Sequence, residues 1–145
     1  MSFLEQRNSG LGVTVLGEFC TEFQNTVGEY LVRHRSILDA LTKFQESCAR
    51  VNRAVAKAAT TCGCIEIDVS KQKLPESLLI QDFKRTSSTH IDGELCENCK
   101  DVVETELGNN LFYLAAICQL LGFELNDIVT KERERVSALG YFKMG

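Results

Sequence analysis

The chain predicts an all-α protein, and three observations carry that expectation. Pro75 is the one proline in 145 residues, so long helices are sterically allowed on both sides of it. Apolar residues recur at steps of three and four along two extended stretches, the period of a helix with one buried face. A single short segment, Ile65-Glu66-Ile67-Asp68-Val69, alternates apolar with polar as a strand does. The expected architecture is one helical domain over 1–145. A long N-terminal helix spans 19–60, a cysteine-bearing connecting segment 62–99 and a C-terminal helical pair 100–138, forming a bundle with one short strand.

The first helix is written by the row Cys20, Phe23, Val27, Tyr30, His34, Ile37, Leu41, Phe44, Cys48, Val51, Val55 and Ala58, which alternates steps of three and four without a slip. At ~1.5 Å per residue such a helix is about 60 Å long, more than the rest of so small a domain can cover. A homo-oligomer formed through the long helix is therefore expected. His34 falls on the seam, either setting register or sitting half-buried with one hydrogen bond. Asp39 with Lys43, and Glu46 with Arg50, are acid-to-base pairs four residues apart that suit the solvated side.

The helix should stop near Thr60-Thr61, where Cys62-Gly63-Cys64 makes a tight turn. The strand over 65–69 needs a partner, either a later extended stretch or the same strand of a second subunit. Residues 70–92 read as a polar excursion with a short helical turn over 76–83. The second large helix is expected to start at Asp92-Gly93-Glu94. Cys96-Glu97-Asn98-Cys99 then lies in or just before its first turn, where the positive end of the helix dipole favours thiolates. Val103, Leu107, Leu111, Leu114, Cys118 and Leu121 make its buried stripe, and Gly122 ends it. A last helix over 124–138 turns Leu125, Ile128, Val129 and Val136 inward and the run Lys131-Glu132-Arg133-Glu134-Arg135 largely outward. Tyr141 and Phe142 dock the tail or fray with it.

Composition narrows the function. Hydrophobic residues at 44%, charged residues at 25% and a formal charge of -4 belong to a soluble globular chain without a basic footprint for nucleic acid. No cationic leader precedes a long apolar core, and no run approaches the ~18 apolar residues of a membrane span. The expectation is a cytoplasmic protein with no membrane contact. In a reducing compartment the seven cysteines favour thiols or metal ligands over disulfides. Cys20, Cys48 and Cys118 lie on helical faces and read as small buried hydrophobes. Neither Gly10-Leu11-Gly12 nor the region around Gly17 continues into a phosphate loop.

Cys62 and Cys64, with Cys96 and Cys99, supply the four thiolates of a tetrahedral structural zinc site. A [4Fe-4S] cluster also takes four cysteines, in more tightly spaced runs. Reversible disulfides and independent buried thiols are the remaining readings. His90 is a possible substitute ligand, since imidazole serves zinc equally well, or else a hydrogen-bonding neighbour.

Residues 104–135 begin Glu-Thr-Glu-Leu-Gly-Asn-Asn-Leu-Phe-Tyr-Leu-Ala-Ala-Ile-Cys-Gln-Leu-Leu-Gly-Phe-Glu-Leu-Asn-Asp and run into a charged amphipathic helix. This stretch resembles the second half of a MazG-like nucleoside triphosphate pyrophosphohydrolase. The resemblance implies an all-α oligomer that holds Mg2+ between an ExxE pair and an ExxD pair and releases pyrophosphate from a nucleotide. It would place that chemistry on Glu104, Glu106, Asn109 and Asp127. Glu106-Leu107-Gly108-Asn109 carries an amide where the family has a carboxylate, which removes a ligand charge and weakens a Mg2+ site. Glu94-Leu95-Cys96-Glu97 spells ExxE too close to Glu106 for the family's helix-turn-helix, and inside the cysteine knuckle.

The expected function is thus a zinc-binding helical oligomer with a MazG-like fold, catalytically degenerate, acting as a binding or regulatory module. A Mg2+-dependent pyrophosphohydrolase that binds nucleotide and a thiol-based redox or metal sensor are the alternatives.

Overall fold

The computed structural model describes residues 3–76 and 79–139, with side chains from residue 17 onward. The expected docking of Tyr141 and Phe142 lies outside the described residues. Helix α1 spans Phe3–Tyr30 and α2 Ile37–Lys57, prolonged by a π-helical turn, Ala58–Cys62. Strand β1 (Ile65–Ile67), helix α3 (Ile80–Thr86) and strand β2 (Ile91–Gly93) form the connecting region. Helices α4 (Glu97–Leu121) and α5 (Leu125–Leu139) complete an all-α bundle with one small two-stranded sheet.

The single long helix over 19–60 is corrected: it is two helices parted at residues 31–36. Both lie on α4, at different places. In α1, Gln24 hydrogen-bonds Gln119, and Val27, with Leu31 just past the helix end, joins Ala115, Ala116, Cys118 and Leu125 in the main core. Helix α2 runs antiparallel to α4, with Ser47 at Asn110, Arg50 at Glu106 and Cys62 at Cys96. Packed helices cross at an angle and separate after a few turns, so a rigid helix over the whole stretch would lose α4. The break lets each half make its own contact. Ser36, extended at φ -71 and ψ 134, starts α2 by accepting the Ala40 N–H with its carbonyl.

The seam shifts as a result. Ala40, Ser47 and Ala58 are buried in or at the end of α2, a row of small side chains that permits close approach to α4, while Tyr30, Leu41 and Cys48 are exposed. Arg50 reaches Glu46 at 3.3 Å, but Lys43 also takes Glu46 at 2.9 Å. Asp39 instead meets His34, whose ring stands edge-on to Tyr113.

The strand over 65–69 finds its partner within the chain: Ile65, Glu66 and Ile67 pair antiparallel with Gly93, Asp92 and Ile91. This replaces the expected helix start at Asp92-Gly93-Glu94. Helix α4 ends as predicted, with Gly122 at φ 75 and the Phe123 N–H donating back to the Cys118 carbonyl at 2.8 Å. Gln24, 3% exposed, ties the α4–α5 elbow to α1. Its amide donates to the Phe123 carbonyl at 2.7 Å and accepts the Leu125 N–H at 2.8 Å.

Candidate metal centre

Helix α2 delivers the first cysteine pair and the start of α4 the second. At the end of α2 the hydrogen bonding widens, and the Gly63 N–H reaches back five residues to the Ala58 carbonyl at 2.9 Å. Gly63 takes φ 79, a left-handed conformation that costs an L side chain but not glycine. The chain reverses there, so Cys62 and Cys64 stand on either side of the turn. Across from it, Cys96 caps α4 with φ -66 and ψ 162, and its sulfur accepts the Cys99 N–H at 3.5 Å. A sulfur at that cap faces the positive end of the helix dipole.

The β1–β2 ladder sets one pair against the other. Gly93, paired with Ile65 beside the first turn, passes so close that a Cβ on it would stand 2.8 Å from the Cys64 carbonyl oxygen.

The Sγ atoms of Cys62, Cys64, Cys96 and Cys99 all lie within 4.8 Å of one another, and those of Cys62 and Cys96 are 3.8 Å apart. Four sulfurs tetrahedral about one ion at ~2.3 Å stand about 3.8 Å from each other. The quartet is therefore spaced to hold a single metal ion. All four are free thiols; Cys62 is exposed and the others half-buried.

The thiols divide unequally. The Cys99 backbone N–H, then the Cys99 side chain, draw the Cys96 thiol down to about 7. Cys96 in turn leads the effects that push Cys99 up to about 12, followed by desolvation and by Cys62 and Cys64. Crowded sulfurs cannot all ionise unaided, and a bound cation supplies the missing positive charge.

His90 stands outside the quartet. Its backbone is left-handed at φ 58, and its Nε2 lies 2.7 Å from the Ser70 carbonyl oxygen. The ring braces the entry to β2 and does not replace a cysteine.

The acidic residues are dispersed. Glu104 is exposed and pairs with Lys100 at 3.8 Å. Glu106 meets Arg50 at 3.6 Å through Oε1, while its buried Oε2 has no hydrogen-bond partner. Asn109 lines a cavity of about 170 Å³ with Lys43, Glu46, Ser47, Arg50 and Tyr113. Asp127 sits in the first turn of α5. Among the described residues the cysteine quartet is the only group of three or more His, Cys, Asp or Glu side chains placed to share an ion.

Three contributors escaped the sequence reading: Gly93, the Ser70–His90 brace and the Arg50–Glu106 contact. Asp92-Gly93 is a turn dipeptide, which was the available signal for the first. The other two depend on tertiary proximity. Among the described residues no single helix is long and apolar enough to cross a membrane. Comparison with protein-family models, with curated proteins and with solved structures finds no match to this chain.

Proposed function

We propose that this chain is a zinc-stabilised helical module whose four-cysteine site fastens the end of α2 to the start of α4, and that it works by binding or regulation rather than by turnover. The observation that carries the reading is the quartet of sulfurs within 4.8 Å. Zinc suits it for two reasons. Closed four-thiolate sites are its structural mode, and a cubane cluster spreads its thiolates over separate irons, wider than ligands sharing one ion. All four ligand positions come from the protein, which leaves no open place for a metal-bound substrate.

The test is elemental analysis of protein purified without chelator or affinity metal, for wild type and Cys96→Ser. About one zinc per chain, lost on substitution, is expected. Zinc and iron both absent, or zinc unchanged in Cys96→Ser, overturns the reading.

A degenerate MazG-like site is the second reading, favoured by the unpartnered Glu106 Oε2 and by the cavity of about 330 Å³ that Glu106 lines with Arg50, Arg53 and Lys57. Pyrophosphate release from nucleotides with Mg2+, in wild type and in Asn109→Asp, tests it. Robust release by the wild type would replace the binding-module reading with an enzymatic one.

A further inference from the structure

Helix α5 is the least covered of the long helices whose side chains are described in full. It turns 109° away from α4, and only Leu125, its first residue, is buried. Beyond the elbow Ile128, Val129, Val136 and Leu139 remain 41–48% exposed, although their spacing puts them on one face. Together with Leu114 of α4, most of this row lines an apolar groove of about 450 Å³. Leu107 and Leu111 precede Leu114 along α4 at steps of four and three and Leu121 follows it seven residues on, each of these three close to half exposed, with Cys118 between Leu114 and Leu121 buried in the core. Two apolar rows thus meet at the elbow, anchored by buried Cys118 and Leu125 and otherwise left about half exposed. A fifteen-residue helix gains little stability from its own hydrogen bonds in water and relies on packing of its apolar face.

Area and charge both point to the occupant. Applied to side chains of ~150–200 Å² each, the exposed fractions amount to roughly 600 Å², most of the ~800 Å² per partner in a stable interface before any polar rim is added. The α5 row is interrupted once, at Glu132, with Arg133 beside it and Arg135 held to it at 2.8 Å. Set antiparallel to itself about a two-fold axis between Glu132 and Arg133, the helix places Val129 opposite the second copy's Val136 and Glu132 opposite the second copy's Arg133. Each pair occurs twice. A row complementary to itself in apolar spacing and charge is what an isologous contact requires.

We propose that a second copy of this chain covers the α4–α5 face, with the two α5 helices antiparallel about that axis. The contact is independent of the cysteine site. It uses Glu132 and Arg133 for orientation and the Val129–Val136 row for burial.

Sedimentation velocity on the full metal-loaded chain tests this, over about 1 to 100 μM. The wild type is expected at twice the chain mass. Val129→Glu should run as a monomer with unchanged circular dichroism. Arg133→Glu should weaken association at least about tenfold, and the swapped pair Glu132→Arg with Arg133→Glu should restore it, a rescue that general loss of structure does not give. A wild type of single-chain mass at the highest concentration overturns the proposal. So does a dimer that Val129→Glu and Arg133→Glu leave intact, or a charge swap that fails to restore what the single reversal lost.

Discussion

Gly93→Ala tests how the hairpin aligns the two cysteine pairs. Gly93 has φ 85, and an added Cβ would stand 2.8 Å from the Cys64 carbonyl oxygen, closer than such contacts occur. Left-handed backbone costs an L residue about 1–2 kcal/mol, and the obstacle is backbone, which cannot swing aside as a side-chain tip does. Relieving the overlap requires β2 to move off β1, at the register that joins Gly93 to Ile65. The combined penalty is about 2–3 kcal/mol. If the metal-bound form alone needs this alignment, the whole penalty appears in metal affinity, roughly a 30- to 150-fold weakening. Competition with a chromophoric chelator measures it, with helix content followed in parallel. An unchanged affinity would refute the argument, because the cysteine pairs would then converge without the ladder.

Alkylation of the metal-free protein at neutral pH should modify Cys96 before Cys99, since one thiol titrates at about 7 and the other at about 12. Lowering the pH from 7 to 6 should slow the Cys96 reaction about five- to sixfold by protonating the thiolate, and metal affinity should rise with pH because binding expels the remaining protons. Cys118, whose thiol burial pushes up, stays protonated and should resist alkylation until the protein unfolds. Gly108 lies inside α4 with open space where a Cβ would point, so Gly108→Ala should raise stability by about 0.5–1 kcal/mol in a denaturant melt; destabilisation would show that the space is filled in the assembled protein. Gln24→Ala strands the Phe123 carbonyl and the Leu125 N–H and should cost about 2–4 kcal/mol in the same melt; a loss below 1 kcal/mol would mean that water replaces the amide.

The C-terminal helices were legible because their signals are local. The helices and the Gly122 stop between them follow the local pattern, but the stripes expected to be buried are so only at Val103, Cys118 and Leu125, with Leu107, Leu111, Leu121, Ile128, Val129 and Val136 41–54% exposed. The cysteine quartet was legible for another reason: few residue types bind metal, and two close pairs of the same type limit what they can do together. The break over 31–36 has no glycine or proline, and the three-four spacing runs through Tyr30, His34 and Ile37 as though the helix continued. Its cause is the crossing of a third helix, distant in sequence. Strand β2 is three residues long, too short to show alternation. His90 stands near Cys96 in sequence, yet its left-handed backbone places its ring at Ser70, a direction that spacing does not encode.

Cys62 and Cys96, separated by 34 positions, meet at the base of an excursion carrying one short helix and one proline. An ion shared at that base would work as a rivet through both ends of the loop. The span between β1 and β2 is then relieved of holding α2 to α4, and it can lengthen, vary in sequence or be cut while the helices stay joined. A chain nicked within it would keep its two pieces together through the packing of α1 and α2 on α4, with a bound metal as a further link.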